Sequence, residues 1–488
     1  MSRPKLNQLI GIFLLAVSPV SGQTSKQQPV NRCQLTAWIA GRISDQRIGR
    51  LLGERGVAFL LGPSTEKQLQ AEGTSAQVLK AIKSARVVKN VRTSECPPSL
   101  AKVAELVRDE KFDAAQSVAN ELVHAQPENA DFHFLLGETL VLQEQWDAAL
   151  DEFTESARVQ PGFPETHDRM AYAFYRSDDA ESAIAEARTA LSMDPGNAEA
   201  YRYLGLGLFA TGKNIAALHA FEESLSHEPE NADVYYDVGI AHRDLGDLHG
   251  AVTAYKHALH LRPNFWQAHS NLGVVLHDLG RLDDAIAEYR EAKRLAPDEA
   301  SVRNNLGNTY CDKQQYDAAI AEFRDLYKVD AGWDRGHACL AQAYMAKKDY
   351  LNAISELRKS VLLNPTGASE HRVLGQALLL VNQPDEALRE LKMAVYLAPD
   401  SAITHHYLGT ALFETSAFAE AEKEFREALR LEPTAQNHYT LAACLMAIGH
   451  NDEALAELES ASKLDPSEPL YHARTEELLK TMAPTASH

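Results

Sequence analysis

Small and apolar residues recur along this chain with a period of 34. Prolines stand at Pro127, Pro161, Pro195, Pro229, Pro263 and Pro297; Ala331 fills the next slot; Pro365, Pro399 and Pro433 resume the series, and Pro466 ends it 33 residues later. Twelve residues before each of these slots lies an alanine: Ala115, Ala149, Ala183, Ala217, Ala251, Ala285, Ala319, Ala353, Ala387, Ala421 and Ala454. Twelve residues earlier again is a glycine in seven cases (Gly137, Gly205, Gly239, Gly273, Gly307, Gly375, Gly409) and Val103, Ala171, Ala341 or Ala442 in the rest. Composition alone does not place eleven alanines in eleven slots. Phe153, Phe221, Tyr255, Tyr289, Phe323 and Phe425 follow that alanine by four residues, so the two share a helix face. Helical spacing inside a fixed long period predicts stacked helical units, none able to bury its apolar face alone.

The pattern resembles the tetratricopeptide repeat (TPR) family, in which an aromatic-x2-Leu-Gly-x2-Tyr segment precedes Ala, aromatic, Ala and Pro over 34 residues. The clearest copy runs from Asn271-Leu272-Gly273 through Asp283-Asp284-Ala285-Ile286-Ala287-Glu288-Tyr289 to Pro297. The resemblance covers Cys96 to Glu468 and implies an all-α, superhelical solenoid of eleven repeats, residues 96–468. Each repeat is expected to be helix A, a turn and helix B. The small residue of helix A and the alanine of helix B permit close approach. The aromatic is expected to fill the gap to the next unit, and the proline to stop helix B. Residues 469–488 read as a capping helix (Pro469 to Met482) and tail over the last apolar face.

The other end reads differently. Arg3 and Lys5, the apolar Leu9–Val17 and the small residues up to Gly22 make residues 1–22 a secretory signal, since nine apolar residues are too few to span a bilayer. An exported protein, periplasmic or extracellular, is expected; without a working signal it is cytoplasmic. Residues 23–34 read as a polar linker and 35–95 as a small helical domain. There Asp45 caps a helix ending at Gly56, Ser64 caps another stopped by Gly73, and Val78, Leu79 and Ile82 mark the last. About 50 residues make a marginal core. Cys33 and Cys96 bracket this segment, and an oxidising compartment would let them staple it; two unpaired thiols are the alternative. Cys311, Cys339 and Cys444 fall in repeat helices, where free cysteine acts as a small buried hydrophobe.

The 488 residues carry a net charge of −20, which argues against nucleic-acid binding and against docking on an anionic membrane. Seven histidines share the fourth position of helix A (His133, His167, His269, His337, His371, His405, His438). Tyr201 and Tyr235 occupy the same slot, so the histidines read as packing residues, too dispersed for one metal. Gly207–Lys213 approaches a phosphate-binding loop but lacks its Ser or Thr and follows no strand. No catalytic signature, metal site or cofactor is expected, and the chain reads as a non-enzyme.

Surface remains. In TPR proteins helix A positions 2, 5, 9, 12 and 13 line the concave groove, and the resemblance carries these onto particular residues. Repeats three to five supply Tyr172, Tyr175, Arg176, Arg202, Tyr236 and Arg243, aromatics with arginines as in protein-binding hot spots. Repeats six to nine supply His277, Asn304, Asn308, Arg335 and Arg372, with Gln342, Met345 and Gln376. Amide side chains there can hydrogen-bond an extended peptide backbone. The expected partner is a protein or peptide segment, the expected role scaffolding or assembly in the cell envelope. A glycan stacked on the tyrosines, or a regulatory place in an enzyme complex, is the alternative.

Overall fold

The computed structural model describes residues 29–41, 43–89, 96–330, 333 and 336–482; the proposed signal and Arg335 lie outside them. The named elements among these residues are all α-helices, with two isolated parallel bridges joining Val57 to Val30 and to Val87. The chain divides into two compact units, one up to Gly246 and one from Asp247. No helix among the described residues is long and apolar enough to cross a membrane.

Four short helices open the first unit: α1 (Arg32–Ala40), α2 (Asp45–Arg55), α3 (Pro63–Ala71) and α4 (Ala76–Ser84). Ser44, not Asp45, caps α2, its hydroxyl accepting from the Arg47 amide. Gly62 precedes α3 and Pro63 occupies its first turn, where a missing N–H costs nothing, so Ser64 is inside the helix. Residues 30–34 are not linker. Val30 is fully buried, and the Arg32 guanidinium pairs at two points with Glu72, which gives a polar stretch a reason to fold. A disulfide ties Cys33 in α1 to Cys96 at the entrance to repeat one.

Eleven helix pairs follow, from Pro98–Arg108 with Phe112–Ala125 to Ala435–Ala447 with Asn451–Leu464. Repeats one to four and helix A of repeat five (Ala232–Asp244) belong to the first unit; helix B of repeat five (Leu248–Leu261) and everything after it belong to the second. A Cβ added to Gly137 would sit 2.6 Å from the Phe153 ring, and one on Gly375 2.5 Å from Leu391. The large side chain of helix B therefore lies on the glycine of its own unit, not in the gap to the next as its sequence position suggested. Each inter-helix turn uses one left-handed residue: Gly212, Gly246, Gly280 and Gly449 in four repeats, and Glu110, Glu144, Asp178, Gln314, Lys348, Asn382 and Ser416 in the other seven. The terminal helix Pro469–Met482 buries Tyr471 and Leu478 against repeat eleven.

Repeat eight departs from the pattern. Its slot before helix A holds Ala331 instead of proline, and its helix A is His337–Ala346, about a turn shorter than its neighbours. Gly336 caps it at φ 92° with no room for a Cβ against Phe323. Here Cys311 and Cys339 are joined in a disulfide, Cα to Cα 6.4 Å, linking helix A of repeat seven (Ala300–Asp312) to the shortened one. Reading these two as free buried thiols was wrong, because consecutive A helices bring them within bridging distance. Cys444 is the free cysteine, buried, with its thiol pushed up to about 11 by desolvation.

Candidate functional site

In the first unit the groove is largely filled by the chain's own N-terminal helices. Groove positions 2 and 5 of repeats two to four are Asp131, Phe134, Glu165, Asp168, Glu199 and Arg202. Arg47 of α2, fully buried, donates to Asp168 and to Glu199 (3.2 Å) and lies 3.6 Å from Glu165. Arg50 makes a two-point pair with Asp194, and the Ser44 hydroxyl donates to Glu228 at 3.0 Å. Arg169 bridges Glu138 and the Gly41 carbonyl. Trp38 of α1 stacks on Phe163, 6.4 Å between centroids, with the Arg55 guanidinium over its ring. Burial pushes the Asp168 carboxyl up to about 7 against the pull of Arg47, and Asp131 up to about 6. These carboxylates anchor a resident segment.

The rim beyond this plug carries the first candidate patch. Tyr172 packs edge-on to Trp146 and beside Tyr203; Arg176 lies over Trp146 and donates to the Tyr172 hydroxyl at 2.8 Å. Arg202 donates to the buried Asp237 at 2.6 Å, and Arg243 sits 3.6 Å from Asp244. Tyr175 and Tyr236 are half-buried. Tyr172, Tyr175, Arg176 and Arg202 are brought together, but Arg176 and Arg202 are held by stacking and by a buried carboxylate.

The second unit holds open space. A cavity of about 860 Å³ is lined by Asn308, Asp312, Cys339, Gln342, Met345, Arg372 and Gln376 among others. Gln376 and Leu380 also line an adjoining cavity of about 380 Å³ with His406, Tyr407 and Thr410, so one track runs over repeats seven to ten. The structure brings Asn308 and Arg372 together here. Asn304 is buried beside Asn305, and His277 is 2.7 Å from Asp312 at the rim. The amides were legible from the repeat register. The disulfide flanking them, with Cys339 in the wall, carried no periodic signal.

The seven helix-A histidines do more than pack. Nδ1 of His133, His167, His269, His337, His371, His405 and His438 lies 2.5–2.7 Å from a glutamate 19 residues on, respectively Glu152, Glu186, Glu288, Glu356, Glu390, Glu424 and Glu457. In repeat seven Arg303 takes the slot and Glu322 faces it at 3.7 Å. Where the slot is Tyr201 or Tyr235, the partner position is Ala220 or Ala254. The two positions vary together, so each pair is one tie between helices A and B. The Glu288 and Pro263 acceptors raise His269 above its ordinary value, overcoming the desolvation that lowers it.

Stacked helix pairs with an open groove define a helical-repeat protein. The chain belongs to the tetratricopeptide repeat family, whose models match residues 100–162, 169–214, 205–263, 236–300, 300–328, 340–366, 372–435 and 412–475. No curated protein matches the sequence. Among solved structures it is similar to YrrB, described as a TPR protein with an unusual peptide-binding site (23% identity, 40% of this chain and 97% of that one, TM-score 0.33). It is also similar to yeast Tom70 (17%, 78% and 96%, 0.32) and to the Cut9–Hcn1 hetero-tetramer of APC/C (16%, 75% and 72%, 0.44).

Proposed function

We propose that this chain is a non-enzymatic, exported adaptor that holds a protein or peptide segment along helix A of repeats seven to ten, in assembly within the cell envelope. The observation that carries the reading is the open track of about 860 and 380 Å³, while the equivalent positions of repeats two to four are filled from within. A groove of this family presents side chains, and here the exposed ones are amides, Met345 and a few charges, suited to a polypeptide. Two disulfides among five cysteines support export, since such bonds persist in oxidising compartments.

The test is affinity capture from an envelope extract, using the chain from Gln23 beside a variant with Asn308, Gln342 and Gln376 changed to alanine. A protein kept by the parent and lost by the variant supports the reading. Equal retention by both moves the site to Tyr172, Tyr175 and Tyr236, and retention of polysaccharide alone replaces the adaptor with a glycan binder. Cell fractionation with N-terminal sequencing checks export. A soluble cytoplasmic chain that keeps Met1 contradicts it.

A further inference from the structure

The Cys311–Cys339 bridge meets the open track through one of its two sulfurs. Cys339 is half-buried and lines the cavity of about 860 Å³, whereas Cys311 is only 3% exposed. Asn308 lies three residues before Cys311 on one A helix, and Gln342 three residues after Cys339 on the next; both line the same cavity. Residues three apart on a helix are neighbours, so each cysteine has an amide of the wall beside it. The charges of that wall cancel, Asp312 and Glu370 against Lys348 and Arg372. A thiolate entering there meets no net negative charge, although the whole chain stands at −20. Exchange at a disulfide requires a thiolate to reach one sulfur and expel the other, so access to a single sulfur is enough to make a bridge labile.

The chemistry closes without a further reagent. The thiolate of a segment lying in the track attacks Sγ of Cys339, and a new sulfur–sulfur bond forms as the bond to Cys311 breaks. The electron pair of the broken bond leaves with Cys311, which takes up a proton in place of the one the segment's thiol gave up. One disulfide and one thiol become another disulfide and another thiol, so neither an oxidant nor a reductant is consumed. Sγ of Cys311 lies 3.4 Å from the Cys339 carbonyl, to which the released thiol can donate. Cys311 therefore stays beside the mixed disulfide and can attack it in turn, which makes the hold reversible.

We propose that the Cys311–Cys339 bridge is a thiol-exchange centre in the wall of the track, through which a cysteine-bearing partner segment is held covalently at Cys339. This rests on the adaptor reading and names the group of the partner that is gripped. The test uses the chain from Gln23 with its bridges intact, a nine-residue Gly–Ser peptide with one central cysteine, and 2-mercaptoethanol as a thiol too small to lie along the track. Reaction at about pH 8 is stopped with acid, and adducts and new thiols are placed by peptide mass mapping. The peptide should load Cys339 and free Cys311 at least about tenfold faster than it loads Cys33 or Cys96. In the Asn308→Ala, Gln342→Ala, Gln376→Ala variant the peptide should slow by about tenfold at Cys339, and 2-mercaptoethanol should not. In Cys311→Ala the oxidised dimer of the peptide should load Cys339 and remain there, leaving the buried Cys444 untouched. Circular dichroism checks the variants, and the parent reaction needs no substitution. Loading of Cys311, Cys33 or Cys96 as fast as Cys339, peptide exchange that the amide variant does not slow, or no exchange at all overturns the proposal. A protein captured by the parent and lost by the amide variant, but held without a disulfide, leaves the adaptor standing and removes only the covalent step.

Discussion

Changing His371 to alanine should loosen repeat nine by about 2–3 kcal/mol. The imidazole is buried, with Nδ1 2.7 Å from Glu390 and Nε2 3.1 Å from the Pro365 carbonyl. A hydrogen bond to a charged group contributes about 1.5–3 kcal/mol and a neutral one about 1 kcal/mol. The Glu390 side chain is 23% exposed, so water recovers part of the first term. Glu390→Ala alone should cost about 1–2 kcal/mol, because it leaves a buried ring nitrogen without its acceptor. The chain supplies its own control: repeats four and five carry Tyr and Ala at these two positions. The double change His371→Tyr, Glu390→Ala should therefore cost at most about 1 kcal/mol, clearly less than the sum of His371→Tyr and Glu390→Ala made singly, the three variants that close the cycle. Repeat arrays unfold in parts, so the assay is amide hydrogen exchange in Ala368–Leu380 and Pro384–Leu397, not a global melt. Additive effects, within about 0.3–0.5 kcal/mol, would refute the claim that the two residues act as one tie.

Replacing Arg47 by Met should destabilise the first unit by about 3–5 kcal/mol, since Asp168, Glu165 and Glu199 lose their buried counter-charge; the carboxyls left behind take up protons, so urea titrations should find the loss smaller at pH 5 than at pH 8. His269 is raised in the folded chain, so its tie to Glu288 contributes fully below about pH 6.5 and fades as pH rises through the folded value. Hydrogen exchange in Trp266–Asp278 should accordingly grow more from pH 6 to 8, after correction for intrinsic rates, than in the His269→Tyr, Glu288→Ala variant. Glu144→Gly should stabilise by about 1 kcal/mol by thermal melting, because that turn holds φ at 57°. Gly137→Ala should destabilise by about 1–3 kcal/mol against the Phe153 ring, read by the same melt.

The period of 34 carried the architecture, because every repeat must solve the same packing problem between its own two helices. It also carried the groove register, which placed Asn308, Gln342, Gln376 and Arg372 beside one another. What it missed is not periodic. Arg47 meets Asp168 across 121 residues, and nothing in the local pattern of either segment announces that α2 will lie in the groove. The Cys311–Cys339 bridge arises where helix A of repeat eight is short, a local exception that a period hides. The histidine ties were in the sequence, but only as a joint property of two positions 19 residues apart. Reading the histidines alone made them fillers; reading Glu with His and Ala with Tyr makes them paired.

The measurement closest to the central claim is photo-crosslinking in the living cell envelope, with a photoreactive amino acid placed in turn at Gln342, at Gln376 and at Tyr236. The account predicts adducts to another protein from Gln342 and Gln376, at the open track, and few or none from Tyr236. Adducts from Tyr236 alone, or none from any position, would contradict it.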